Sequence, residues 1–218
     1  MTDGEEASSP VSGSRALSRR EFALFQRLIR EETGIYLSDG KRDLLISRLA
    51  PRLRELGLPS FSDYYRRVTE EGDEDERVRM LDRISTNETQ FFREPRHFEF
   101  LEQTVLPKWR SESDAGTRPR RLRAWSCACA SGEEPYTLAM VLLANLPGWD
   151  VQVLGTDIST RVLDKARAGV WSIERASHIP STYLKTYMLR GTRSQEGKMA
   201  ADTALRAILE FQRFNLTT

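Results

Sequence analysis

Little in this sequence commits it to a metal, a phosphate cradle, a membrane or the secretory route. Its 218 residues hold two cysteines, Cys127 and Cys129, and two histidines, His97 and His178. A disulfide between positions i and i+2 is geometrically poor, and no ligand pair stands at zinc spacing, so no metal is expected. Two small thiols buried under a turn are the plain reading. No apolar run approaches the length of a membrane span; the longest, LAMVLLA at 138–144, suits a buried helix. The opening MTDGEEASSPVSGSRA lacks the basic-then-apolar order of a signal peptide, and residues 1–17 read as a polar, disordered tail. Net charge is +1, so bulk charge implies no nucleic acid partner. Neither G-x-G-x-x-G nor Gly-Lys-Ser/Thr occurs, which removes the common dinucleotide and triphosphate cradles. These absences point to the cytoplasm, without membrane insertion.

What is present falls into two halves. Residues 18–86 read as four helices. SRRE at 18–21 is a capping box ahead of Phe22, Phe25, Leu28 and Ile29, and Gly34 is the stop. A second helix, from about Asp39 to Leu56, lines up Leu45, Leu49, Leu53 and Leu56, and Pro51 is expected to kink it. Ser60 opens a third with Phe61, Tyr64, Tyr65 and Val68; DEDE at 73–76 caps a fourth that buries Val78, Leu81 and Ile84.

From residue 87 the pattern changes. An amphipathic segment at 95–109 and a polar loop at 111–121 precede strand RAWSCA, a helix at 134–145 and strand VQVLGTD at 151–157. STRVLDKARAG is a helix between Ser159 and Gly169, and ILEFQRF at 208–214 is a further strand. Alternating strands and helices predict an α/β fold with a parallel sheet. Residues 188–206, with Gly191 and Gly197, read as a small antiparallel insertion.

Several constellations bear on chemistry, and each also has a purely structural account. Lys41, Arg48 and Arg52 align on the second helix, as a solvated face or as a docking surface for an acidic helix or for nucleic acid. In STNETQFFRE, Asn87 and Thr89 suit helix capping, but Arg93 beside Phe91 and Phe92 at the junction of the halves suits a site equally well. Glu133 and Glu134 suit a first helical turn. They also oppose a phosphate and favour a cationic ligand. Asp157 at a strand tip is either a turn former or a ribose-diol ligand. A ligand with a ribose and a positive charge but no phosphate fits this set, and S-adenosylmethionine is such a ligand.

The ordered strings STNETQFFREPRHF, WSCACASGEEPYTLAM, LGTDIST with VLDKARAGVW, and YMLRGTRSQEG resemble the CheR-type chemotaxis methyltransferases, from about Ser18 to Leu216. The resemblance implies a small all-α N-terminal domain, then a Rossmann-like methyltransferase domain over 87–218 with a β insertion. It implies methyl transfer from S-adenosylmethionine to chemoreceptor glutamates, leaving S-adenosylhomocysteine. By the same resemblance Asn87, Thr89, Arg93, Glu134, Asp157, Asn215 and Leu216 match cofactor-contacting positions. Arg93 also matches the catalytic arginine. The helix bearing Lys41, Arg48 and Arg52 matches the surface that meets the receptor's cytoplasmic helices. The insertion matches the part that binds a receptor C-terminal peptide in some members. A monomer is expected. The family's sheet has seven strands, and its sequence continues with an Arg-Asn pair and a tyrosine beyond FNLTT. About three strands, on one side of the first, are expected here, so the chain reads as a fragment or truncated product. A non-catalytic receptor- or cofactor-binding module, or a relative acting on another acidic protein, stands as the alternative.

Overall fold

The computed structural model describes residues 16–70, 73–85 and 87–216. They form two compact units that divide between Ile84 and Ser85.

The first unit is helical. It holds α1 (Arg19–Thr33), a 3-10 turn at Asp39–Lys41, α2 (Arg42–Glu55), α3 (Phe61–Thr69) and α4 (Glu74–Ile84). The capping box forms: the Glu21 amide donates to Ser18 Oγ at 3.2 Å, and the Ser18 amide donates to the Glu21 carboxylate at 2.8 Å. Leu17, assigned from sequence to the tail, is instead buried in this core. It precedes the capping serine and shares its cluster with Phe22, as an apolar residue before a helix start commonly does. Residues 1–15 of the predicted tail lie outside the described residues.

α4 departs from its predicted stripe. Met80, Leu81 and Ile84 are buried while Val78 is half-buried, and Glu76 takes a core position. Apolar periodicity cannot register an acid as a core residue. Arg52 and the Tyr64 hydroxyl, both bonded to its carboxylate, make that burial tolerable.

The second unit opens with α5 (Pro95–Phe100), a π-type turn at Leu101–Val105 and α6 (Leu106–Asp114). Helix therefore continues into the stretch expected to be polar loop, because SESD sits on an exposed helix end. Next come β1 (Arg121–Cys127), α7 (Glu133–Asn145), β2 (Asp150–Asp157), α8 (Thr160–Ala168), β3 (Val170–Ser172), a 3-10 helix at Ile173–His178 and α9 (Ser181–Tyr187). The chain continues through β4 (Met188–Arg190), a 3-10 turn at Arg193–Gln195, β5 (Lys198–Ala201), α10 (Thr203–Ala207) and β6 (Leu209–Arg213).

β1, β2 and β6 form a parallel sheet in the order β1-β2-β6, with Ser126 beside Gly155 and Gly155 beside Phe211. Val151 and Val153 on one face join Ala139, Met140, Val141 and Leu142 of α7 in the main core. The antiparallel sheet has the order β3-β5-β4. β3 lies outside the predicted 188–206 insertion, since the short run after Gly169 gives too little alternation to read. α10 replaces expected extended chain, capped by Asp202, whose Oδ1 accepts the Leu205 amide at 2.9 Å. No described helix is long and apolar enough to cross a membrane.

Gly132 leads into α7 at φ 94°, and a Cβ there would stand 2.9 Å from Ala166 Cβ on α8. Gly132→Ala combines left-handed strain with a clash against a neighbouring helix. It is expected to lower stability by about 2–4 kcal/mol in urea unfolding.

Candidate functional site

The turn after β1 alternates in hand. Ala128 (φ 57°), Ala130 (φ 48°) and Gly132 (φ 94°) are left-handed. Two alanines in that region are strained, so their surroundings must hold them. The Cys129 amide donates to the Thr156 carbonyl at 2.9 Å, and the Gly132 amide donates to the Cys129 carbonyl at 3.0 Å. The Ala130 amide donates to Asp157 Oδ2 at 2.9 Å, and Asp157 Oδ1 accepts the Ser159 amide at 2.9 Å. Asp157 is thus locked at the tip of β2 with one amide on each oxygen. Each oxygen keeps accepting capacity for a further donor.

The two thiols differ. Cys127 is exposed, contrary to the buried pair expected, because the last residue of β1 alternates to the face opposite Ser126. Cys129 is buried, and burial, with the negative charge of Asp157 next in weight, pushes its thiol up to about 12. It is a neutral filler, not a nucleophile.

The two acids at the start of α7 also separate. Glu133 is fully buried; its Oε2 accepts from Ser131 Oγ at 2.7 Å, and its Oε1 lies 3.1 Å from Arg175 Nη1. Glu134 is exposed and accepts the Ser126 hydroxyl at 2.6 Å. Of the pair, Glu134 is open to a ligand.

The segment 87–94 is tied to the same helix end. The Phe92 amide donates to Thr137 Oγ1 at 3.2 Å, and the Thr89 carbonyl accepts from Arg175 Nη1 at 2.6 Å. Phe91 is buried with its ring edge-on to Trp171 at 5.0 Å. Phe92 and Glu94 are left-handed, at φ 51° and 56°. Arg93 is exposed, and its Nη1 donates to the Glu88 carbonyl at 3.3 Å. Asn87 Nδ2 is buried and finds no hydrogen-bond partner among the described residues. Beyond β6, the Phe214 amide donates to the Asp157 carbonyl at 3.1 Å, which sets Asn215 near the tip of β2. Leu216 beside it is exposed.

Glu134, Asp157, Asn215 and Leu216 therefore gather at the carboxyl ends of the parallel strands, where open α/β sheets bind ligands. Asn87, Thr89 and Arg93 lie on a segment pinned to the first turns of α7. Sequence reasoning missed Arg175, Ser126, Ser131 and Thr137. These hydroxyls and the guanidinium carry no motif, and only folding reveals their partners.

The basic trio lies in the helical unit. Lys41 is exposed. Arg48, half-buried, donates to the Ile84 carbonyl at the end of α4. Arg52 grips Glu76 through two nitrogens, at 2.9 and 2.5 Å, and reaches Glu55 at 2.9 Å. The three do not make one free basic face, because the core acid Glu76 takes up Arg52. Arg52→Met leaves Glu76 buried without its main partner and is expected to lose about 3 kcal/mol in thermal or urea unfolding.

Comparison with known proteins agrees with this layout. Residues 20–85 match the family described as "CheR methyltransferase, all-alpha domain", and residues 87–218 match "CheR methyltransferase, SAM binding domain". Chemotaxis protein methyltransferase 2 of Pseudomonas aeruginosa is 37% identical over 212 residues, covering 95% of this chain and 72% of that protein. The chemotaxis protein methyltransferase of Borreliella burgdorferi is 34% identical over 204 residues, covering 92% of this chain and 71% of its own. That of Escherichia coli is 36% identical over 205 residues, covering 92% and 68%.

Proposed function

Because the chain belongs to the CheR methyltransferase family, whose cofactor is S-adenosylmethionine, we propose that it methylates glutamate side chains on the cytoplasmic helices of chemoreceptors. The observation that carries this reading is the placement of a ribose-type acid, Asp157, and an open carboxylate, Glu134, at one end of the parallel sheet. The residues fit the cofactor. Asp157 has accepting capacity for two hydroxyls, Glu134 suits an ammonium, and the orphaned Asn87 amide offers a buried donor. Asn215 and Leu216 close the same end, and Thr89 borders it.

When bound, S-adenosylmethionine supplies a methyl group on a sulfonium. The acceptor glutamate is ionised at neutral pH, so the protein needs no strong general base. What remains for its own residues is alignment and exclusion of water. Arg93, exposed and lightly held, is the group in this reading that meets the incoming carboxylate through its planar fork. Lys41 and neighbouring basic side chains of the helical unit meet the acidic receptor helices. The antiparallel subdomain takes a receptor C-terminal peptide.

The test is incubation with methyl-labelled S-adenosylmethionine and a receptor cytoplasmic fragment. Label on glutamate, released as methanol by base, is expected. A receptor left unlabelled while another acidic protein takes up the label would overturn the receptor assignment.

A further inference from the structure

Arg175 joins two parts of the site. It lies in the 3-10 helix Ile173–His178, which packs against β3 and β5 of the antiparallel sheet. One nitrogen, Nη1, donates to the Thr89 carbonyl at 2.6 Å and stands 3.1 Å from Glu133 Oε1. Glu133 is closed to solvent, and its other oxygen takes the Ser131 hydroxyl. Oε1 makes no hydrogen bond among the described residues, so the nearby Arg175 charge is what compensates this buried carboxylate there. The Arg175 side chain itself is 42% exposed, so it adds little to the core. Both stretches that it bridges hold left-handed residues, Phe92 in one and Ala130 in the other.

We propose that Arg175 is a positioning residue for the cofactor site: through Thr89 and Glu133 it holds the Asn87–Arg93 segment against the start of α7. It does this without touching the cofactor. The proposal rests on the reading of Asn87, Thr89 and Glu134 as cofactor-facing. It also makes the antiparallel subdomain part of the frame of that site.

The test compares Arg175→Met, which keeps the stem and loses the cation, with Arg175→Lys, which keeps one cationic nitrogen for the two oxygens. Titration with S-adenosylhomocysteine is expected to show Kd raised about tenfold or more by methionine and largely recovered by lysine. Adding Glu133→Gln to Arg175→Met should cost less than the two changes summed. Hydrogen exchange on the free protein should quicken at 87–93 and 129–137 in the methionine variant and stay unchanged in β1 and β2. Wild-type affinity in Arg175→Met, equal impairment by lysine, or uniformly faster exchange would each overturn the proposal. Should the parent chain fail to bind S-adenosylhomocysteine, the site reading fails by itself. The exchange comparison then still decides on the strut: local quickening supports it and an unchanged pattern refutes it.

Discussion

Asp157→Ala is expected to weaken S-adenosylhomocysteine binding by about a hundredfold or more, because the proposed ribose contact consists of two charge-assisted hydrogen bonds of about 1.5–3 kcal/mol each, removed together. A second effect adds to the loss. The Ala130 and Ser159 amides both donate to this carboxylate, so the left-handed turn at Ala130 also loses its anchor. Asp157→Asn separates the two contributions only in part. Both native partners are donors, and an amide side chain accepts from one while turning its own NH2 toward the other. Asparagine should therefore also bind poorly, by about tenfold or more. Calorimetric titration measures both variants, and a cooperative melt of each shows that the unit is still folded.

Arg93→Ala should behave differently. Turnover is expected to fall by about a hundredfold or more, with the Kd for S-adenosylhomocysteine within about threefold of the parent. The side chain is exposed, and the hydrogen bond to the Glu88 carbonyl at 3.3 Å is a weak tether. Its removal should leave the fold intact and subtract chiefly the proposed contact with the acceptor carboxylate. Arg93→Lys keeps the charge without the planar fork, so it should recover part of the rate and not all of it. Equal losses of binding and turnover would count against an acceptor role.

How much of this was legible in the sequence varies with the kind of signal. The capping box at Ser18–Glu21 and the strand tip at Asp157 were readable because one local pattern sets each of them. The GEEPY string announced two acids, and the resemblance singled out Glu134, but that Glu133 is buried against Ser131 and Arg175 needed the folded chain. Arg52 looked like one member of a basic face until Glu76, a core position filled by an acid, claimed its guanidinium. Leu17 looked like tail because a single apolar residue before a serine has no period to belong to. β3 was hidden for a similar reason, since its few residues pair only because β5 lies beside them. The cap and the strand tip thus survived translation into structure, whereas the side-chain pairings of Arg52 and Glu133 did not appear until the chain was folded.

The central claim is that one cofactor site is built from the carboxyl ends of β1, β2 and β6 together with the Asn87–Arg93 segment. Hydrogen exchange with and without S-adenosylhomocysteine tests it most directly. The account predicts protection concentrated at residues 87–93, 128–134, 157–159 and 214–216, and little change in α1 to α4. Protection confined to other segments, or none at saturating ligand in a folded chain, would contradict it.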